Sequence, residues 1–104
     1  MDIDKNNWDS EVTNSNAVVI VDFWAEWCAP CKAIVTVLDE IEKSAGGSVK
    51  VVKVNIEKET ELVAKYRIKS VPTVLVFEGG EVKGKVMGLN VNTKSEIQKI
   101  LDAQ

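Results

Sequence analysis

Residues 17 to 32 read AVVIVDFWAEWCAPCK, and the fold turns on this stretch. Ala17 to Trp24 is apolar on both faces apart from Asp22, the pattern of a strand covered on both sides in a parallel or mixed sheet. From Cys31 to Lys43 the period changes. Ile34, Leu38 and Ile41 recur at helical spacing, Asp39, Glu40, Glu42 and Lys43 take other faces, and Gly46-Gly47 ends the helix. Val49 to Ile56, VKVVKVNI, is rich in β-branched residues and reads as a second strand. Strand, helix and strand with short joins predict a right-handed parallel crossover.

Outward from this unit, Glu59 to Tyr66 is expected to be a short helix. Val74 to Phe77 and Val82 to Met87 should form an antiparallel hairpin around Glu78-Gly79-Gly80-Glu81. Thr93 stands three residues before Glu96, the spacing of a capping box, ahead of Ile97, Ile100 and Leu101 on one helical face. Residues 6 to 13 around Trp8 are expected to add another short helix. The predicted class is α/β: a central mixed sheet with an N-terminal parallel βαβ unit and a C-terminal antiparallel hairpin, flanked by helices on both faces. No repeat, linker or low-complexity tract divides residues 1–104, so a single domain is expected.

The chain has 104 residues, 45% of them hydrophobic, and a chain of this length can bury roughly 65% of its unfolded surface around one core. Thirteen basic against sixteen acidic residues leave a net charge of −3 and no basic footprint for nucleic acid. The N-terminus lacks a basic start followed by an apolar stretch, and the longest apolar run, Ala17 to Val21, is far short of a membrane span. The expected compartment is the reducing cytoplasm, with neither membrane nor nucleic acid as partner. With no histidine, imidazole bases, Ser-His-Asp triads and Cys-His zinc sites are excluded.

Cys28 and Cys31 are the reactive inventory. Cys28 falls at the start of the helix, where unpaired N–H groups and the helix dipole favour a thiolate. Pro30 suits an early helical position because it has no N–H to satisfy. Cys31 returns to the same side one turn inward, within reach of a mixed disulfide formed at Cys28. Cys28 is therefore expected to be an exposed nucleophile and Cys31 a buried resolving thiol, closing a reversible Cys28–Cys31 disulfide. Three other uses compete. A structural disulfide around so short a loop would add only roughly 2 kcal/mol. A zinc site would have to recruit carboxylates, and a soft-metal carrier would lack a nearby Met; no metal is expected.

Val21 to Lys32, the later Val71-Pro72-Thr73 and the Phe77-to-Val82 hairpin together resemble the thioredoxin family over nearly the whole chain, in order. A lone C-x-x-C is weak, but its Trp flanks, the upstream Asp22 and the distant Val-Pro-Thr make the likeness specific. The resemblance implies a protein-disulfide reductase acting on disulfide-containing proteins. It further implies recycling by a flavin- and NADPH-dependent thioredoxin reductase, with no cofactor bound to this chain, which is expected to be a monomer. The alternative is a redox-gated protein-interaction module using the same apolar face.

For single residues, the resemblance places Asp22 beneath the cysteines, exchanging a proton with Cys31; burial should raise its pKa. An Asp exposed at a strand end is the competing reading. Lys53 matches a lysine commonly found near that aspartate and would modulate it, or else is a solvated charge between Val52 and Val54. The resemblance makes the Val71-Pro72 bond cis, where sequence alone favours trans, and sets the Val71 backbone where it could pair with an extended substrate. Trp27, Ala29, Pro30, Ile56, Val71, Pro72 and Gly88 would form the docking surface, with Trp24 left to core packing. Two positions depart from the usual pattern: Ala29 in place of Gly between the cysteines, and Thr36 where a helix-kinking Pro is common.

Overall fold

A computed structural model describes residues 1–104. The regular elements are β1 (Val18–Trp24), α1 (Ala29–Ser44), β2 (Val49–Asn55), α2 (Thr60–Lys65), β3 (Thr73–Glu78), β4 (Glu81–Met87) and α3 (Thr93–Asp102). A single π-helical turn, Asp9–Thr13, precedes them, closed by an Asn14 N–H bond to the Asp9 carbonyl at 2.8 Å. The four strands form one sheet in the order β2-β1-β3-β4, with β1 parallel to β2 and both other pairings antiparallel. This is the mixed α/β sheet that the pattern of residues 17–56 and the hairpin predict.

The alternation of β1 divides the core between the two faces of the sheet. Val19, Val21 and Phe23 point to one face, where they join Phe77 from β3, Leu62 from α2, and Trp8 and Val12 from the N-terminal turn. Trp8, Tyr66 and Phe77 meet there with ring centroids 5.3–5.4 Å apart, the Phe77 contacts being edge-to-face. Ile20 points to the other face, against Ile34, Leu38 and Ile41 of α1 and Ile97 of α3. Helices therefore cover both faces, which is why β1 can be apolar on both sides.

The hairpin turn is Gly79-Gly80, with φ of 60° and 81°; two consecutive left-handed residues match the natural twist of the paired strands. Beyond it the register runs Phe77↔Val82 and Val76↔Gly84, so Lys83 is a bulge. Gly84 is where α3 comes nearest: a Cβ there would lie 2.5 Å from the Ile100 side chain. At the opposite side of the sheet the Lys53 N–H bonds to the Met1 carbonyl and the Ile3 N–H to the Lys53 carbonyl, both at 2.8 Å, laying residues 1–3 along β2.

The helix that carries the cysteines starts at Ala29 with Cys28 as its cap, as the reading of Cys28 at the helix start and Pro30 in its first turn expects. One local expectation is corrected. The Thr93–Glu96 capping box does not form. Thr93 is already inside α3 and buried, and its hydroxyl accepts the Asn90 N–H at 2.8 Å, so the threonine closes the preceding turn instead.

Candidate functional site

Cys28 has extended backbone geometry at the N-cap of α1, and its Sγ accepts the Cys31 N–H at 3.2 Å. A sulfur thus does what a serine or aspartate oxygen commonly does at a helix start. Ala29 and Pro30 fill the first two helical positions, the proline removing one N–H that would have lacked a partner. Cys28 and Cys31 are joined as a disulfide, their Cα atoms 5.3 Å apart.

The expected contrast between an exposed Cys28 and a buried Cys31 is absent: they are 4% and 2% exposed. Ala25 shares their cluster, and Trp24, Ile56 and Val71 pack against it. With the sulfurs bonded to each other and walled in this way, both residues lie at nearly the same depth.

The residues packed on the pair come from three separate segments, and Gly88 is tied to one of them. Ile56 follows β2 and its N–H bonds to the Trp24 carbonyl at 3.0 Å, which fixes it beside the end of β1. The Val71-Pro72 bond is cis, and Val71 packs on the cysteine cluster. Gly88, just past β4, donates its N–H to the Pro72 carbonyl at 2.8 Å, tying the end of the hairpin to the proline loop. Ala29 and Pro30 are exposed, and Trp27 is 68% exposed, an unusual position for so large an apolar ring. Trp24 is half-buried, with Nε1 lacking a partner and the Lys53 Nζ 5.4 Å from its ring centre.

Asp22 is wholly buried, and neither carboxyl oxygen has a hydrogen-bond partner. Desolvation pushes its pKa up from 3.8 to about 6, while the charge of Lys53 pulls the other way. Lys53 stands directly across from Asp22 in the parallel β1–β2 register, so both project to the same face. On that face Asp22 lies between Ile20, which packs under the middle of α1, and Trp24, which touches the cysteine cluster. A cavity of about 90 Å³ adjoins it, reached by Lys53, Asp39, Glu42, Val51 and Met1. A polar chamber of this size can hold water.

Sequence reasoning did not single out Glu42 or Met1. The signal for Glu42 was present in the helical spacing of Val35, Leu38, Asp39 and Glu42, which puts all four on one face of α1 toward the chamber. Its carboxylate accepts the Val51 N–H of β2 at 2.9 Å. Thr36, where a kinking proline is common, is exposed within an uninterrupted α1. No group of three or more His, Cys, Asp or Glu side chains is placed to hold a metal, and no helix is long and apolar enough to cross a membrane.

Comparison with known proteins bears on the same features. The family model described as Thioredoxin matches residues 1–103. Thioredoxin from Rickettsia bellii is 44% identical over 84 residues, covering 81% of this chain and 80% of that protein. Chloroplastic thioredoxin M5 of Oryza sativa is 47% identical over 85 residues, covering 82% of this chain and 49% of the rice protein. Chloroplastic thioredoxin M-type of Zea mays is 40% identical over 99 residues, 95% of this chain and 58% of the maize protein. The chain thus spans about half the length of the plant relatives and four-fifths of the bacterial one. With a mixed four-stranded sheet, a disulfide at the mouth of α1 and a family match over nearly its whole length, the chain belongs to the thioredoxin family.

Proposed function

We propose that the protein is a protein-disulfide reductase working by dithiol–disulfide exchange through Cys28 and Cys31. The observation that carries this reading is the Cys28–Cys31 disulfide itself, formed at the N-terminus of α1 with the exposed Trp27, Ala29 and Pro30 beside it. In the reduced protein the Cys28 thiolate, favoured by the N-terminus of α1, attacks one sulfur of a substrate disulfide. The S–S bond of the substrate breaks, one substrate sulfur leaves as thiolate, and the other is held in a mixed disulfide with Cys28. Cys31 then gives its proton to Asp22 and attacks the Cys28 sulfur. The substrate's second sulfur leaves as thiolate and is protonated, so two electrons pass to the substrate and the Cys28–Cys31 disulfide remains.

The surrounding residues divide the remaining work. Trp27, Ala29, Pro30, Ile56, Val71 and Gly88 present an apolar surface to flexible substrate chains, and the Val71 backbone beside cis-Pro72 offers β-type hydrogen bonds. Lys53 modulates Asp22 by its charge. Return to the dithiol requires an external two-electron donor, assigned here to a flavin- and NADPH-dependent thioredoxin reductase, with no cofactor resident on this chain. The working form is a single-domain monomer of the cytoplasm; the plant relatives carry chloroplastic names, so fractionation of the source cell is the check on location.

The test is NADPH-coupled reduction of insulin disulfides in the presence of a thioredoxin reductase. Cys28→Ser should abolish turnover, and Cys31→Ser should accumulate a mixed disulfide with substrate. Full turnover in Cys28→Ser would overturn the reading.

A further inference from the structure

The chamber beside Asp22 contains a fixed charge that the proposed reaction has not yet used. The charged or titratable groups facing Asp22 can be named element by element. Lys53 comes from β2, and Asp39 and Glu42 from α1; Cys28 at the cap and Cys31 in the first turn of α1 are joined as a disulfide and do not titrate; β3 contributes apolar Val74 beside Asp22, and residues 1–3 contribute Met1. Asp39 is exposed, so solvent screens it. Glu42 is different. It is only partly exposed, and its Oε2 is pinned by the Val51 N–H at 2.9 Å.

Val51 fixes where that charge sits. It lies two residues before Lys53 on the same strand and the same face, a step of about 6.6 Å along β2, and Lys53 is directly across from Asp22. Glu42 is thereby held one strand step from the level of Asp22, on the wall of the same small cavity. Both Asp22 oxygens are buried and no protein group hydrogen-bonds them, so the charges lining the cavity bear on its proton affinity.

We propose that Glu42 is a positioning residue for Asp22, its pinned carboxylate opposing the pull of Lys53 and so favouring the proton-bound form of Asp22. Lys53 and Glu42 then act as a pair of opposite settings on one buried acid. The inference rests on the reading of Asp22 as the proton acceptor of the exchange reaction. It concerns the proton affinity of Asp22 in the resting protein, which is measured without any turnover.

The experiment follows the carboxyl-carbon NMR signal of Asp22 through a pH titration of the oxidised full chain. Glu42→Gln keeps an oxygen for the Val51 N–H but removes the charge. The Asp22 midpoint should fall by at least about 0.3 pH, a twofold loss of proton affinity, with the Val51 amide signal in place. Glu42→Asp should recover part of the fall, and Lys53→Met should move the midpoint upward. A second measurement uses the unaltered protein: the Val51 amide shift reports ionisation of Glu42, and the Asp22 signal should respond over the same pH range. An unchanged midpoint in Glu42→Gln, or no response of Asp22 to Glu42 ionisation, would reduce Glu42 to a tie between α1 and β2 and overturn the proposal. That failure would leave the exchange mechanism standing, because the latter is judged by turnover of the cysteine variants.

Discussion

The outer and inner sides of the disulfide are built from opposite materials. Outward lie Trp27, Ala29 and Pro30, all exposed and all without ionisable groups. Inward, on the face shared by β1 and α1, lie Asp22, Lys53, Glu42 and Asp39 around a cavity of about 90 Å³. The difference teaches where each task of disulfide exchange can be done. Loose recognition of varied chains suits an apolar surface that demands no fixed partner, whereas proton transfer suits a buried acid whose affinity its neighbours can adjust.

The largest expected effect joins the two sides. Cys28→Ser removes the atom through which the outer surface communicates with the inner one, and turnover should be lost outright. Asp22→Asn attacks the inner side alone. Resolution of the mixed disulfide should slow by about tenfold or more, as loss of a positioned base implies. Its effect on stability has a definite sign. Folding raises the Asp22 pKa from 3.8 to about 6, so its contribution to stability is fully present below pH 3.8 and is lost as pH rises through about 6. The difference corresponds to about 3 kcal/mol. Asp22→Asn should therefore be more stable than the parent by up to about that amount at pH 7, and near parity at pH 3.5. Denaturant melts at the two pH values check this; equal differences at both would contradict the burial cost.

A change that touches neither side calibrates the others. Gly84→Ala drives a methyl into Ile100 of α3 and should cost about 1–3 kcal/mol in a denaturant melt while leaving the Asp22 titration in place. The smallest effect belongs to the outer side. Trp27→Ala should raise KM for insulin by about fivefold, equivalent to about 1 kcal/mol of docking energy. Its kcat should hold, and its stability should stay within about 0.5 kcal/mol, since the ring is 68% exposed. A fall in kcat with KM unchanged would mean that the division between recognition and proton handling is drawn in the wrong place.

The architecture was legible wherever hydrophobic period was strong. β1, α1, β2 and the hairpin follow from the change of period across residues 17–56 and from Gly79-Gly80, with ends displaced by one or two residues. What escaped has local physical causes. Met1-Asp2-Ile3 is too short to carry a period, yet its backbone pairs with Lys53. Thr93 and Glu96 have capping-box spacing, but the turn from Asn90 claims the hydroxyl. Glu42 reads as one charge among several on a polar helix face; its spacing from Val35 and Leu38 was the signal, and the packing of α1 over β2 gives that signal its meaning. Cys28 was expected to be exposed because it begins the helix; Ile56 and Val71, distant in sequence, enclose it together with the neighbouring Ala25. The reactive pair was readable because its chemistry is local, and its depth was not because its walls are not.

The backbone bonds of Met1 and Ile3 to Lys53, together with the Glu42 bond to Val51, have a consequence for self-association. Every sheet with free margins is a template on which another chain can polymerise. Here one margin is already occupied by the protein's own first residues and a glutamate. The other, β4, is interrupted by the Lys83 bulge and carries a second exposed lysine at Lys85. A strand from a second molecule would meet a closed border on one flank and a kinked, positively charged one on the other. The sheet is thereby built so that a neighbouring chain finds no ladder along its margins to extend.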